Sequence, residues 1–333
     1  MTFRSLAEQE PWCFHHSYLD SWYNKNIKVG LKAYRSRCTA AVEYLEDELT
    51  SSWPSIDEVV VGGSLGKGTM VKDKSDIDLF VFMYWYSIDT IGPEMYKIQL
   101  KRGQEIVENI LEGIDGVTGV KSDEFVTHFN LEYGELNVRV DLLLTADNSH
   151  DGDMQAMVKA MLHKSDKNRE FFSACLEKQR QHFIKSKPVR VKNLIRLVKT
   201  WALAALPRHL KKSYFLELLT ISLWEDAGEP RRFDKAQGLK DVLQNLAKLR
   251  DERTYCPILL DPTNPTNNVC KFLKDRNNRN KFSRAARGTL RTRLLRNVTV
   301  NTDWSYHRKV KRNLTLPAEL LAALLKQGKR RVL

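Results

Sequence analysis

Cysteine is sparse here and suggests no pairing: Cys13, Cys38, Cys175, Cys256 and Cys270 are odd in number, scattered, and contain no CxxC pair. A zinc ribbon and a disulfide framework are therefore excluded, and reduced thiols are expected. No apolar run approaches the roughly 20 residues of a membrane-spanning helix, so no membrane partner is expected. The opening MTFRSLAEQEPWCFHH lacks an apolar h-region, so no signal peptide is expected and a cytoplasmic location follows. Asn297-Val-Thr and Asn313-Leu-Thr match the glycosylation pattern but carry no weight without a secretory signal. Internal repeats and low-complexity linkers are also missing.

What is present is a 333-residue chain, 42% hydrophobic and 29% charged, long enough for one large domain or two lobes with a sizeable core. Its formal charge of +13 is uneven: residues 266–333 hold 18 Lys and Arg against 3 Asp and Glu. A cationic excess confined to one end points to an anionic partner rather than to solubility.

The most informative stretch is VVVGGSLGKGTMVKDKSDIDLFVFM, residues 59–83. Val59, Val60 and Val61 read as a short buried strand, which Gly62 and Gly63 break while letting backbone approach a ligand. Ser64 stands at a helix N-cap position, and Lys67 lies in the half-turn that follows. A second strand is expected over Ile77–Met83, with Asp76 and Asp78 at its mouth. Strand side chains alternate, so these carboxylates share a face about 7 Å apart, opposite a Gly-Gly-Ser turn. That arrangement suits a metal–triphosphate site. It is not a Walker A loop, because Val61 replaces the first Gly and Gly68 follows Lys67. Val71 likewise replaces the last Gly of a dinucleotide fingerprint. An ordinary hairpin with two solvated Asp is the bland alternative, and the Asp-Ile-Asp placement disfavours it.

Elsewhere the periodicity predicts helices over residues 16–49, Glu94–Glu112, Asp166–Ile184, Val189–Leu206, Lys211–Asp226, Asp234–Arg250 and a basic Lys271–Arg296. Ile98, Ile106, Ile110 and Leu111 form the expected apolar side of the second. Arg196 and Lys199 are expected on the outer surface of the fourth. Short strands are expected over Val117–Val120, Asp123–Asn130 and Tyr255–Leu260. Leu136–Thr145 is a strong strand with Asp141 at its centre, costly unless paired or metal-bound, or else on an edge facing water. The polar break at Asn148–Asp153 suggests a boundary between lobes 1–150 and 151–333.

The GGSLGKGT…SDIDLFVFM motif resembles that of the 2'-5'-oligoadenylate synthetases and the related cyclic GMP-AMP synthase-like receptors. LNVRVDLLLTAD, VKNLIRLVKTW, KKSYFLELLTISLWEDAG, FDKAQGLKDVL and CPILLDPTNPTNNV resemble further segments of that family, together spanning roughly residues 59–270. The resemblance implies an α/β (α+β) bilobal nucleotidyltransferase, with a central mixed sheet and flanking helices in the N-terminal lobe and a helical C-terminal lobe. It assigns catalysis and metal binding to Asp76, Asp78 and Asp141, with two Mg²⁺ ions for which Mn²⁺ can substitute. Gly62, Gly63, Ser64 and Lys67 would meet donor phosphates, Lys199 and Ser213 the triphosphate, and Tyr214 a base. ATP, with GTP or other nucleoside triphosphates, would be the substrate of a monomer. Lys185, Lys187 and Arg190 lie where the resembling enzymes bind double-stranded RNA, the implied activator.

Three departures leave the product open between linear 2'-5'-oligoadenylate and a cyclic dinucleotide. Val61 stands where RNA-activated synthetases carry a basic residue, Ser213 replaces their Gln, and no His/Cys zinc thumb is present. Two other function classes are kept: template-independent poly(A) or terminal uridylyl addition, and a catalytically silent RNA-binding adaptor, which intact carboxylates disfavour. On balance the sequence suggests an innate-immune, antiviral enzyme making a 2'-5'-linked second messenger.

Overall fold

A computed structural model describes residues 11–74, 76–148, 154–251 and 257–300. The chain divides into two compact units, Gly30–Ser186 and Met1–Val29 with Lys187–Leu333. The division differs from the expected 150/151 boundary at both ends. Residues 16–29 do not continue into one long N-terminal helix. A short 3-10 turn, α1 (Leu19–Tyr23) and a π-turn give way at Val29, and Gly30, at φ +73, starts a new helix. The Tyr23 hydroxyl donates to Asn193 Oδ1 at 3.0 Å, and Lys235 pairs with Asp20, which ties α1 to the later residues.

The unit Gly30–Ser186 is built on a sheet of five strands in the order β1-β2-β5-β4-β3. They are β1 (Ile56–Val61), β2 (Ile77–Met83), β3 (Val117–Ser122), β4 (Thr127–Tyr133) and β5 (Leu136–Ala146). β2 and β5 run parallel while the other pairings are antiparallel, so the sheet is mixed. β2 buries nearly every side chain, as a central strand covered on both faces does. The helices of this unit are α2 (Leu31–Ser52), the short α3 (Gly63–Lys67), α4 (Ile88–Glu112), α5 (Met154–Leu162), α6 (Asp166–Glu170) and α7 (Glu177–Lys185). On α4 the core face is Tyr96, Leu100, Val107 and Leu111. Of the expected stripe, Leu111 is in the core and Ile110 packs against it, whereas Ile98 and Ile106 are each 44% exposed; Gly103 and Gln104 hold inward positions that an apolar count misses.

The other unit is helical. It contains α8 (Val189–Ala205), α9 (Ser213–Asp226), α10 (Lys235–Lys248) and α11 (Arg276–Leu290), with a small hairpin of β6 (Leu260–Asp261) and β7 (Asn264–Asn268). α10 is capped by Asp234, whose carboxylate accepts from the Ala236 and Gln237 amides. The strand expected over Tyr255–Leu260 begins partly outside the described residues, and β6 occupies its end. No described helix is long and apolar enough to cross a membrane.

Candidate active site

β1 ends at Val61, and the chain turns at once into α3, held beside β2 by the bond from Gly62 N to Asp78 O at 2.7 Å. Gly63 has φ +52, and a Cβ there would lie 1.7 Å from Asp78 Oδ2. Only glycine lets the turn pass this close to that carboxylate. Ser64 follows as the second residue of α3, whose N-cap is Gly62, so it is not the cap that its sequence position suggests; it is half-buried, and its hydroxyl makes no hydrogen bond among the described residues.

Asp78 and Asp141 are register partners on the adjacent parallel strands β2 and β5. Paired positions on neighbouring strands project from the same face about 4.8 Å apart, so the two carboxylates stand side by side. The edge-strand alternative for Asp141 is excluded, because β5 lies between β2 and β4. Asp76 sits one residue before β2 and is exposed. The Asp78 carboxyl is pushed up to about 7, first by burial and then by the negative charge of Asp141, against the opposing pull of Lys67.

Asp141 is tethered through one oxygen. His128 Nδ1 lies 2.7 Å and Arg139 Nε 2.9 Å from Oδ1, whereas Oδ2 makes no hydrogen bond among the described residues. Among those residues no three His, Cys, Asp or Glu side chains already converge as a cation cage. The donor set nonetheless fits a hard divalent cation, because Asp78 and Asp141 present carboxylate oxygens whose mutual repulsion a cation would relieve.

Lys67 is buried rather than displayed. It pairs with Glu177 on α7 at 3.3 Å, and the same Glu177 oxygen accepts from Gly63 N at 2.9 Å. Gln181, one turn along α7, donates to Val61 O at 2.6 Å. Glu177 and His128 escaped the sequence argument. The signal for Glu177 was its position as the last acid before the acid-free run from Lys178 to Lys199, and that for His128 was a polar ring inside a strand.

The remaining candidates fall in the helical unit, apart from Lys185. Lys199 is 6% exposed and pairs with Glu217 Oε1 at 3.3 Å, which corrects the expected outer-surface placement; α8 is buried on that side too. Ser213 is exposed at the start of α9, and the half-buried Tyr214 donates to Asp261 Oδ1 at 2.8 Å. Lys185, at the end of α7, is exposed and bonded to Gln181. Lys187 pairs with Glu225 at 2.6 Å, while Arg190 donates to Phe233 O and lies over its ring.

Comparison with known proteins agrees with this geometry. The family profile "Nucleotidyltransferase domain" matches residues 42–123, and "2'-5'-oligoadenylate synthetase 1, domain 2, C-terminus" matches residues 153–256. The chain is 28% identical over 265 residues to 2'-5'-oligoadenylate synthase 1A of Rattus norvegicus, covering 64% of this chain and 71% of that protein. Among solved structures it resembles "E. coli MS115-1 CdnC + ATP" with TM-score 0.54 and 19% identity, covering 82% and 89% of the two chains. A second is the "STING-associated CdnE c-di-GMP synthase from Capnocytophaga granulosa", with TM-score 0.54 and 14% identity, covering 78% and 81%. These two share the fold. With the matching profiles over both parts of the chain and a Gly-Gly-Ser turn set against paired strand carboxylates, the protein is a nucleotidyltransferase belonging to the 2'-5'-oligoadenylate synthetase and cGAS-like family.

Proposed function

We propose that this protein joins nucleoside triphosphates, ATP among them, into a 2'-5'-linked second messenger when double-stranded RNA activates it. The observation that carries this reading is the register pairing of Asp78 with Asp141 beside the Gly62–Gly63 turn. In the proposed reaction the 2'-hydroxyl oxygen of the acceptor attacks the α-phosphorus of the donor. The new P–O bond forms as the bond to pyrophosphate breaks, pyrophosphate leaves, and the hydroxyl proton passes to Asp141. Two Mg²⁺ ions, or Mn²⁺ in their place, held by Asp76, Asp78 and Asp141 would supply positive charge to the attacking and leaving oxygens.

Ser64 and the Gly62–Gly63 backbone bind donor phosphate in this scheme, Lys199 and Ser213 bind the triphosphate, and Tyr214 stacks on a base. Lys67 supports the turn through Glu177. Lys185, Lys187 and Arg190 are assigned to the duplex, which is bound mainly through phosphates and shape. The protein is assigned to the cytoplasm and to action as a monomer.

The test is incubation with the four nucleoside triphosphates and Mg²⁺, with and without duplex RNA, followed by mass spectrometry and digestion by a 3'-5'-specific nuclease. A duplex-dependent, nuclease-resistant product, absent with Asp78→Asn, is expected, and its mass distinguishes oligoadenylate from a cyclic dinucleotide. A nuclease-sensitive homopolymer would instead place the protein with the poly(A) or terminal uridylyl enzymes, and no product under any activator would favour the adaptor.

A further inference from the structure

His128 continues a lateral row across the sheet. Asp78 on β2 pairs in register with Asp141 on β5, and Asp141 pairs in register with His128 on β4. All three side chains therefore project from one face. His128 Nδ1 lies 2.7 Å from Asp141 Oδ1, and its other nitrogen, Nε2, lies 3.2 Å from Asp123 Oδ2.

Asp123 is itself a fixed post. Its Oδ1 accepts from the Phe125 and Val126 amides, both at 2.9 Å, and its own N–H donates to Val126 O at 2.9 Å. Its carbonyl accepts from Gln104 Nε2, a buried side chain of α4, at 3.1 Å. The ring is thus gripped at both nitrogens, between a turn anchored to a helix and a carboxylate on the next strand.

We propose that His128 is a positioning residue for Asp141, locking its carboxylate through Oδ1 so that Oδ2 alone is offered to a divalent cation and the acceptor hydroxyl. This rests on the reading of Asp141 as a carboxylate of the active centre. Arg139 Nε reinforces the lock on Oδ1 at 2.9 Å, but it comes from the same strand and is more exposed. A carboxylate with one oxygen held by two donors does not rotate about its terminal torsion to exchange oxygens. A plain cross-strand ion pair, with side chains 27% and 23% exposed, would contribute little to stability and nothing to metal affinity. The two cases therefore differ in what is lost when His128 is replaced.

The test compares His128→Leu, which removes both contacts, with His128→Asn, whose amide can still reach Asp141, and with Asp123→Asn, which loosens only the far end. Mn²⁺ binding is measured by the electron paramagnetic resonance signal of free Mn²⁺ in the presence of a non-hydrolysable ATP analogue. Steady-state kinetics are run on the same proteins, with Asp141→Asn as reference. Partners one shell out from a metal ligand typically alter affinity or activity by about 10–100-fold, so His128→Leu is expected to weaken Mn²⁺ binding and lower kcat by about that factor. Its KM for nucleotide should stay within about twofold, because the triphosphate contacts are untouched. His128→Asn should recover most of the loss, and Asp123→Asn should fall between. If Asp141→Asn is inactive while His128→Leu binds Mn²⁺ and turns over like wild type, the positioning role is wrong and the catalytic reading stands. If Asp141→Asn keeps wild-type activity, both fall. Should His128→Leu not fold, His128→Asn and Asp123→Asn decide: both matching Asp141→Asn, or both matching wild type, overturns the graded dependence.

Discussion

Lys67 and Glu177 meet at 3.3 Å with side chains only 7% and 3% exposed, joining the turn after β1 to α7. The lysine of the Gly-Ser-Leu-Gly-Lys stretch therefore faces a carboxylate of its own chain, and that carboxylate also takes the Gly63 amide. A buried pair contributes little net stability, yet removing one member is costly, because the other remains out of water. Glu177→Gln is expected to destabilise the Gly30–Ser186 unit by about 3 kcal/mol, read from the urea midpoint. A change below about 1 kcal/mol would mean that Lys67 relies on other contacts.

Gly63 tests the close approach to Asp78. Gly63→Ala places a methyl where Asp78 Oδ2 stands, at a φ of +52 that alanine resists. Shifting either group by about 1 Å is expected to reduce turnover by about 100-fold. Gly288→Ala, on α11 with nothing within 4 Å, is the control and should leave activity unchanged.

Lys199 requires a design that separates binding from stability. Lys199→Ala leaves the buried Glu217 without this partner, so it should lower both nucleotide affinity and the unfolding midpoint. A lost charge-assisted contact is worth about 1.5–3 kcal/mol, or roughly 10–150-fold in KM. The pair Lys199→Met with Glu217→Met should restore stability while the KM stays high. A normal KM in that double variant would remove Lys199 from the triphosphate site.

Asp241 makes stability depend on pH. It is 1% exposed on α10, its two oxygens have no hydrogen-bond partner among the described residues, and burial pushes its carboxyl up to about 7. Lys240 and Lys248 oppose that shift without cancelling it. Between pH 4 and 7 the folded state keeps a proton that the unfolded state has released, so stability from this group falls as pH rises through the window. Asp241→Asn should leave the melting temperature little changed at pH 4 and raise it progressively to pH 7 and above. The full difference should be on the order of 2–4 kcal/mol. An equal gain at pH 4 and pH 8 would show that ionisation of Asp241 is not its cause.

The basic triplet supplies the activator test. Lys185 is exposed, whereas Lys187 and Arg190 are half-buried and bonded within the chain. Replacing all three by glutamine should abolish the response to duplex RNA and flatten the log–log salt slope by about two to three units. Nucleotide binding without duplex should survive. Activation at wild-type duplex concentrations would move the surface elsewhere, with the Arg-rich stretch after Lys271 as the next candidate.

Much of this was legible in the residues alone. The strand over Ile77–Met83 appears with the bounds that its β-branched and aromatic run predicts, and Gly62, Gly63 and the Asp-Ile-Asp mouth were visible as chemistry. These features depend on neighbours in the chain: alternation on a strand and the φ range open to glycine. Local order therefore carried the glycine turn and the first two candidate carboxylates. It could not carry the partners. That Asp78 stands beside Asp141, Asp141 beside His128, and Lys67 against Glu177 depends on strand order and helix packing between residues 13 to 110 positions apart. The burial of Lys199 and the exposure of Ile98 and Ile106 have the same origin. Periodicity reports how wide an apolar face is but not which neighbour covers it, and a buried polar side chain is stable only once its distant partner is in place.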